Sequence, residues 1–185
     1  SGNEILIGGS TNNDVMSTTL TSQKLGIDNT EFNRITAGKL LIGDTTTGGN
    51  IAVGAAVTSL DATGDLLLLS NANISINGAL QAGTTGTKKL TLNAAGASSA
   101  VTQSASITAA GLELLGNTAS YTLTNTGNTV QTLAANTASL NYVNAAALSI
   151  NTVNTTTGIN ATGNVTVKTL AGDLTLNQNI TTAGT

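Results

Sequence analysis

Apolar residues recur along this chain as doublets with one residue between them, each soon followed by Asn, Thr or Gly. Leu66/Leu68, Ile74/Ile76, Leu90/Leu92, Leu112/Leu114, Tyr121/Leu123, Leu148/Ile150, Val165/Val167 and Leu174/Leu176 all take this form. Side chains alternate along a strand, so both members of a doublet face one side. No doublet is long enough to build a layered core alone. The few apolar side chains in one lap of chain bury too little surface to offset the entropy of ordering that lap. Stacking removes the deficit, because each lap covers its apolar face with the next.

The spacing of the doublets is nearly periodic. Strand starts at Leu112, Val130, Leu148 and Val165 stand 18, 18 and 17 residues apart. A second series, Tyr121, Leu140, Ile159 and Leu174, is spaced by 19, 19 and 15. Two series in step predict at least two strands per repeat, and Leu133, Val153 and Leu170 suggest a short third side. Gly116-Asn117-Thr118 and Gly127-Asn128-Thr129 fall between strands, where Gly and Asn tolerate the positive φ of a turn. Such a repeat is too short for an ankyrin, tetratricopeptide or propeller unit and suits one coil of a parallel β-helix.

Upstream, Ile74, Leu90 and Leu112 are spaced by 16 and 22, which predicts an insertion between Leu92 and Leu112. The small residues at 94–100 would form that loop or a strand. Leu40/Ile42 and Ile51/Val53 continue the pattern, with a turn at 45–49. Residues 1–35 are least regular: loops are expected at 10–13 and 28–30, and Phe32 is a candidate plug for the core. The expected fold is all-β: a single parallel β-helix with coils of roughly 17–19 residues. Irregular coils at 1–35 and regular repeats at 36–185 make one domain. That gives about nine or ten coils, near 45 Å at about 4.8 Å each. An antiparallel sandwich or barrel of many short strands is the weaker reading, because Asn77-Gly78 is the sole Asn-Gly pair and Asp-Gly does not occur.

Composition excludes several classes of chemistry. The chain has 185 residues, net charge −3, and no Cys, His, Trp or Pro. Without Cys it has no disulfide and no thiolate nucleophile or ligand. Without His it lacks the usual general base and transition-metal ligand. Six scattered Lys and Arg give no footprint for nucleic acid. No apolar run approaches the roughly 18–20 residues of a transmembrane segment. The opening Ser1, with no apolar leader, is expected to mark a processed or excised fragment. A Cys-free chain whose polar residues are mainly Thr, Asn, Ser and Gly suits an extracellular bacterial surface protein.

Three stretches carry a family resemblance: Glu31-Phe32-Asn33-Arg34-Ile35-Thr36-Ala37-Gly38, Gly127-Asn128-Thr129-Val130-Gln131-Thr132-Leu133-Ala134-Ala135-Asn136-Thr137, and Thr157-Gly158-Ile159-Asn160-Ala161-Thr162-Gly163-Asn164-Val165-Thr166-Val167. Their texture resembles the repeat regions of filamentous-haemagglutinin-like exoproteins, the secreted adhesins of two-partner secretion systems. The resemblance implies a right-handed parallel β-helix, export across two membranes, and a place on the bacterial surface or in its matrix. The expected function is a non-catalytic stalk or filament-forming segment of a surface adhesin or matrix exoprotein. Its expected partners are neighbouring β-helix segments or copies stacked end to end, and host-cell or matrix glycans and proteins. No cofactor is expected. The alternative is a carbohydrate-active β-helix enzyme, a polysaccharide lyase or depolymerase.

Each candidate for chemistry has a plainer reading beside it. Nine Asp and Glu are spread over the chain. Asp61 and Asp65 are the closest pair within the repeats, and Lys88 and Lys89 follow about one coil later. A lyase or hydrolase needs such groups converging on one groove, whereas scattered acids read as solvated turn residues. Gly43-Asp44, Gly64-Asp65 and Gly172-Asp173 resemble the ends of calcium-binding nonapeptide repeats, but those need consecutive tandem copies. Thr122/Thr124 and Thr155/Thr157 fit the Thr-x-Thr pairs of ice-binding faces, yet Thr166 and Lys168 interrupt a regular array. Asn73, Asn154, Asn160, Asn164 and Asn179 each open an Asn-x-Ser/Thr triplet and are the candidate glycan acceptors. Inward laddering of Asn between coils is the competing role. No catalytic or metal-binding residue is assigned.

Overall fold

The computed structural model describes residues 4–8, 24–32, 34–58, 63–83 and 87–183. The expected loop at 10–13, Asp14 and Asp61 lie outside them. The chain is all-β, about 61% strand, and its parallel coils stack into a β-solenoid of about seven turns.

Three ladders run along the stack. One joins Glu4–Ile7, Ile51–Val53, Ile74–Ile76 and Ala100–Gln103 to the end of Ile107–Leu123, then to the end of Thr129–Asn144 and to Val165–Thr169. A second joins Ala37–Asp44, Thr63–Ser70 and Lys89–Ala94 to the middle of Ile107–Leu123, then to Thr129–Asn144, Ile159–Ala161 and Ile180–Thr182. The third is short and passes through Val57, Leu80–Gln81 and the start of Ile107–Leu123. The third side expected from lone apolar residues therefore exists, built largely from other residues.

The doublets face inward as their spacing requires. Leu40, Leu66, Leu90, Leu112 and Leu133 align in register, and all but the half-buried Leu40 are fully buried. Residues between doublet members face out: Leu66 and Leu68 are buried, while Leu67 is only partly covered and Leu41 is 55% exposed. Each fully buried Leu or Ile contributes about 1.5–3 kcal/mol, and the ladder supplies its cover from both sides.

Coil length differs from the expected 17–19 residues. Tyr121 pairs with Leu140, a step of 19 as predicted, but Leu112 pairs with Leu133 rather than Val130, a step of 21. Other steps reach 26 for Leu40 to Leu66 and 27 for Ile74 to Val101. Longer coils mean about seven turns instead of nine or ten. The physical reason is that stacking constrains the strands and leaves corner length free. Nor is there an insertion between Leu92 and Leu112. Leu66, Leu90 and Leu112 form one ladder, Ile74 belongs to another, and 95–99 is an ordinary corner. At the next coil Gly116 turns the same corner with φ 127, where a side chain would strike the Ala94 carbonyl.

At the N-terminal end the stacking order departs from chain order, since Lys24–Ile27 pairs outside Glu4–Ile7. The loop expected at 28–30 is instead the start of a short helix, Asn29–Phe32. Asp28 Oδ1 accepts from the Glu31 amide at 2.8 Å, and Glu31 Oε2 accepts from the Asp28 amide at 2.9 Å. This reciprocal capping satisfies two amides that the helix cannot. The helix seats Phe32, 1% exposed, in the core as the expected plug.

Two corners carry buried asparagines. Asn128 Oδ1 accepts from the Ile107 amide at 2.9 Å and Gln103 Nε2 at 2.8 Å. Its Nδ2 donates to Gln103 Oε1 at 2.8 Å and the Val143 carbonyl at 2.9 Å. Asn144 accepts from the Val130 amide and the Tyr142 hydroxyl and donates to the Val130 and Ala146 carbonyls, all at 3.0 Å. Each amide group supplies the partners that neighbouring backbone loses where the strand bends.

Burial pushes the hydroxyls of Tyr121 and Tyr142 well above the ordinary tyrosine pKa of 10.0. The folded state thus holds two protons that the unfolded chain releases first. Their stabilising effect is complete below pH 10.0 and is lost progressively above it. Urea unfolding should accordingly give constant stability from neutral pH to that value and a decline beyond it. The decline should shrink in the double variant Tyr121→Phe, Tyr142→Phe; equal slopes in both proteins would contradict the assignment.

Candidate functional site

The most elaborate polar arrangement lies on the outside of the second ladder. Leu133 pairs with Ile150 and Ala135 with Ile159, so two positions on one coil face nine on the next. The surplus loops out as an antiparallel hairpin in which Thr152 pairs with Thr157 and Val153 with Thr156. Asn154, at the tip, adopts φ 53, a conformation that Asn tolerates better than most residues. Here Val153, expected on the third side of the coil, sits outside the main core yet is buried. It packs where Gly111 has no side chain; a Cβ there would meet Val153 Cγ1 at 3.0 Å.

The hairpin covers Glu113 and Thr91, which are neighbours in register on successive coils. Leu112 and Leu114 point inward, so Glu113 between them points out, under the hairpin. It is only 4% exposed. Thr91 Oγ1 donates to Glu113 Oε2 at 2.7 Å, and Asn154 Nδ2 donates to the same oxygen at 2.7 Å. Thr156 Oγ1 donates to Oε1 at 2.8 Å. Asn154 Nδ2 also stands 3.2 Å from Thr91 Oγ1. A buried carboxylate is costly unless hydrogen-bonded, and here three neutral side chains from two other segments meet that need.

The residues singled out in the sequence are mostly dispersed. Asp65 lies in the column Lys39–Asp65–Lys89–Gly111 and accepts the Lys89 amide at 2.9 Å. It is two coils from Glu113, so these acids do not converge. Asp44 takes five hydrogen bonds from four donors, the amides and hydroxyls of Thr46 and Thr47. Those bonds, the Thr47 hydroxyl first, hold its carboxyl well below the usual range. The Asp173 carbonyl accepts from the Leu148 amide at 2.9 Å in a corner. Among the described residues no three His, Cys, Asp or Glu side chains are grouped to hold a metal ion.

Thr102, Thr122, Asn141 and Thr166 align in one exposed column, where Asn141 interrupts the threonines. Thr155 and Thr157 belong to the hairpin and not to that column. Of the candidate acceptors, Asn73, Asn160, Asn164 and Asn179 are exposed. Asn73 Oδ1 accepts from the Ala100 amide at 2.8 Å, and Asn160 stacks beside Asn136 on the outer face. Asn154 is half-buried, with its nitrogen engaged by Glu113 and Thr91. The asparagines that turn inward are Asn128 and Asn144, outside any such triplet.

Sequence reasoning counted Glu113 only among the scattered acids. One signal was available: it is the single charge in an otherwise apolar stretch, one position off the inward leucines. Its partners are 22, 41 and 43 residues away, and nothing local announces them. Chemically, the cluster joins two hydroxyls, a carboxamide and one carboxylate beneath the hairpin. Among the described residues no second acid, which paired glycoside hydrolysis needs, joins them. Among the described residues no helix is long and apolar enough to cross a membrane. No protein-family model, curated protein or solved structure matches the chain.

Proposed function

We propose that this chain is a structural segment, a stalk or filament-forming stretch, of a filamentous-haemagglutinin-like adhesin or matrix exoprotein secreted to the bacterial surface. The observation that carries the reading is a stack of about seven coils sharing one apolar centre, on which Asp65 and Glu113 stand two coils apart. In the lap at 165–182, Leu174, Leu176 and Ile180 are 37%, 60% and 36% exposed, whereas their partners Leu148, Ile150 and Ile159 on the neighbouring coil are buried. Among the described residues the strands Val165–Thr169 and Leu174–Leu176 each pair on one side only. An apolar face rimmed by unpaired strand edges is a template for further β-stacking. Low charge, 8% of residues, puts little repulsion in the way. The partner is a further β-helix segment or another copy, seated end to end, and the outer faces are left for host-cell or matrix glycans and proteins.

Sedimentation velocity tests the reading. The chain should associate with rising concentration, and Leu174→Lys with Leu176→Lys should suppress association while leaving the circular dichroism spectrum unchanged. A strictly monomeric profile at high concentration opposes it. So does release of reducing or unsaturated sugars from polysaccharides, lost on Asp65→Asn, which would mark an enzyme.

A further inference from the structure

We propose that Thr91 and Asn154 become joined by an intramolecular ester, formed without any other protein and with Glu113 as the proton carrier. The inference rests on the cluster beneath the hairpin and stands apart from the stalk reading. One oxygen, Glu113 Oε2, is 2.7 Å from the hydroxyl that must lose a proton. The same oxygen is 2.7 Å from the amide nitrogen that must gain one. Both distances lie within direct transfer range for a general base and acid. Thr156 holds the other carboxylate oxygen at 2.8 Å and so fixes the plane of the shuttle.

Thr91 Oγ1 is 3.2 Å from Asn154 Nδ2, and the amide carbon is the next atom along. Rotation about the Cα–Cβ bond of Asn154 swings Cγ itself, and this motion carries the amide carbon toward the hydroxyl oxygen, the approach an activated nucleophile needs. Thr91 Oγ1 attacks Asn154 Cγ as its proton passes to Glu113. The carboxyl then protonates Nδ2, the Cγ–Nδ2 bond breaks, and ammonia leaves. The product is an aspartyl ester of Thr91, with Glu113 again a carboxylate. No oxidant, metal or cofactor enters the balance. Thr91 and Glu113 are 2% and 4% exposed, so the ester forms away from the water that would hydrolyse it.

Such a bond closes a loop of chain from Thr91 to Asn154 and spans four coils: Lys89–Ala94, Ile107–Leu123, Thr129–Asn144 and the coil that bears the hairpin. It acts as a cross-brace along the stacking axis, the direction in which parallel coils are otherwise held by hydrogen bonds and packing alone.

Glutamate occurs only at Glu4, Glu31 and Glu113, so cleavage after Glu in the denatured chain separates 32–113 from 114–185. The expected result for the purified chain is one joined species on a denaturing gel. Its mass should be one ammonia below the summed masses of the two fragments, and hydroxylamine should split it. Thr91→Val should give two separate fragments of full mass, and Thr91→Ser, which keeps the nucleophile, should restore the joined species. Separate fragments from the unaltered chain overturn the proposal. So does an ammonia loss confined to one fragment, or a joined species that persists in Thr91→Val.

Discussion

Replacing Asn128 by Leu should cost on the order of 2–6 kcal/mol, among the largest single-residue effects in this protein. The loss strands the Ile107 amide and the Val143 carbonyl, both of which now find partners on the Asn128 side chain. Each buried backbone group left without a partner costs about 1–3 kcal/mol. Leu has a similar volume, so the penalty is polar and not a matter of packing. Urea unfolding followed by circular dichroism measures it. As a control, Asn141→Ala on the exposed column should shift stability by less than about 0.5 kcal/mol. Similar midpoints for the two variants would show that the corner amide is replaceable by water.

Leu112→Ala comes second, with an expected loss of about 2–5 kcal/mol. Leu112 is fully buried between Leu90 on one coil and Leu133 on the next. Parallel ladders on both sides hold the backbone at fixed spacing, so the cavity has little freedom to collapse. That places the cost toward the upper part of the range. The same truncation at Leu176, 60% exposed on the final lap, should change monomer stability little when measured at low concentration. Together the two variants test the stacking: a core built from shared coils makes position along the axis, rather than residue type, decide the cost. Equal effects at Leu112 and Leu176 would be incompatible with it.

The legible part of the fold was the alternation. Leu66/Leu68, Leu90/Leu92 and Leu112/Leu114 were readable as inward doublets, because the two-residue strand period is local and needs no knowledge of neighbours. Phe32 was readable as a plug because a lone large aromatic in so apolar and aromatic-poor a chain has few other places to go. The Tyr121–Leu140 step was read correctly. The later steps of that series were not, since Leu140 pairs with Val165 and Ile159 with Ala135 and Ile180, and neither was the companion series. Leu112 was set against Val130 where the coil matches it with Leu133, since a strand of alternating residues offers several near-equivalent registers and only the corners choose among them.

The polar interior was less visible. Asn128 and Asn144 resemble any other turn asparagine in a chain rich in them, and their burial follows from how sharply two coils bend at one place. Glu113 looked like a solvated acid until the hairpin at 152–157 closed over it. That hairpin arises because one coil carries residues its neighbour cannot match, a mismatch that no local pattern records.

Local periodicity therefore determined that this chain must be strands, that the strands must stack, and which side chains fill the centre. The register, the corner lengths and the burial of Asn128, Asn144 and Glu113 were decided by the assembled coils. The reason is range. Alternation is set by neighbours along the chain, while pairing across coils joins residues about 20 or more positions apart, where many alignments satisfy the same apolar pattern and side-chain fit selects one.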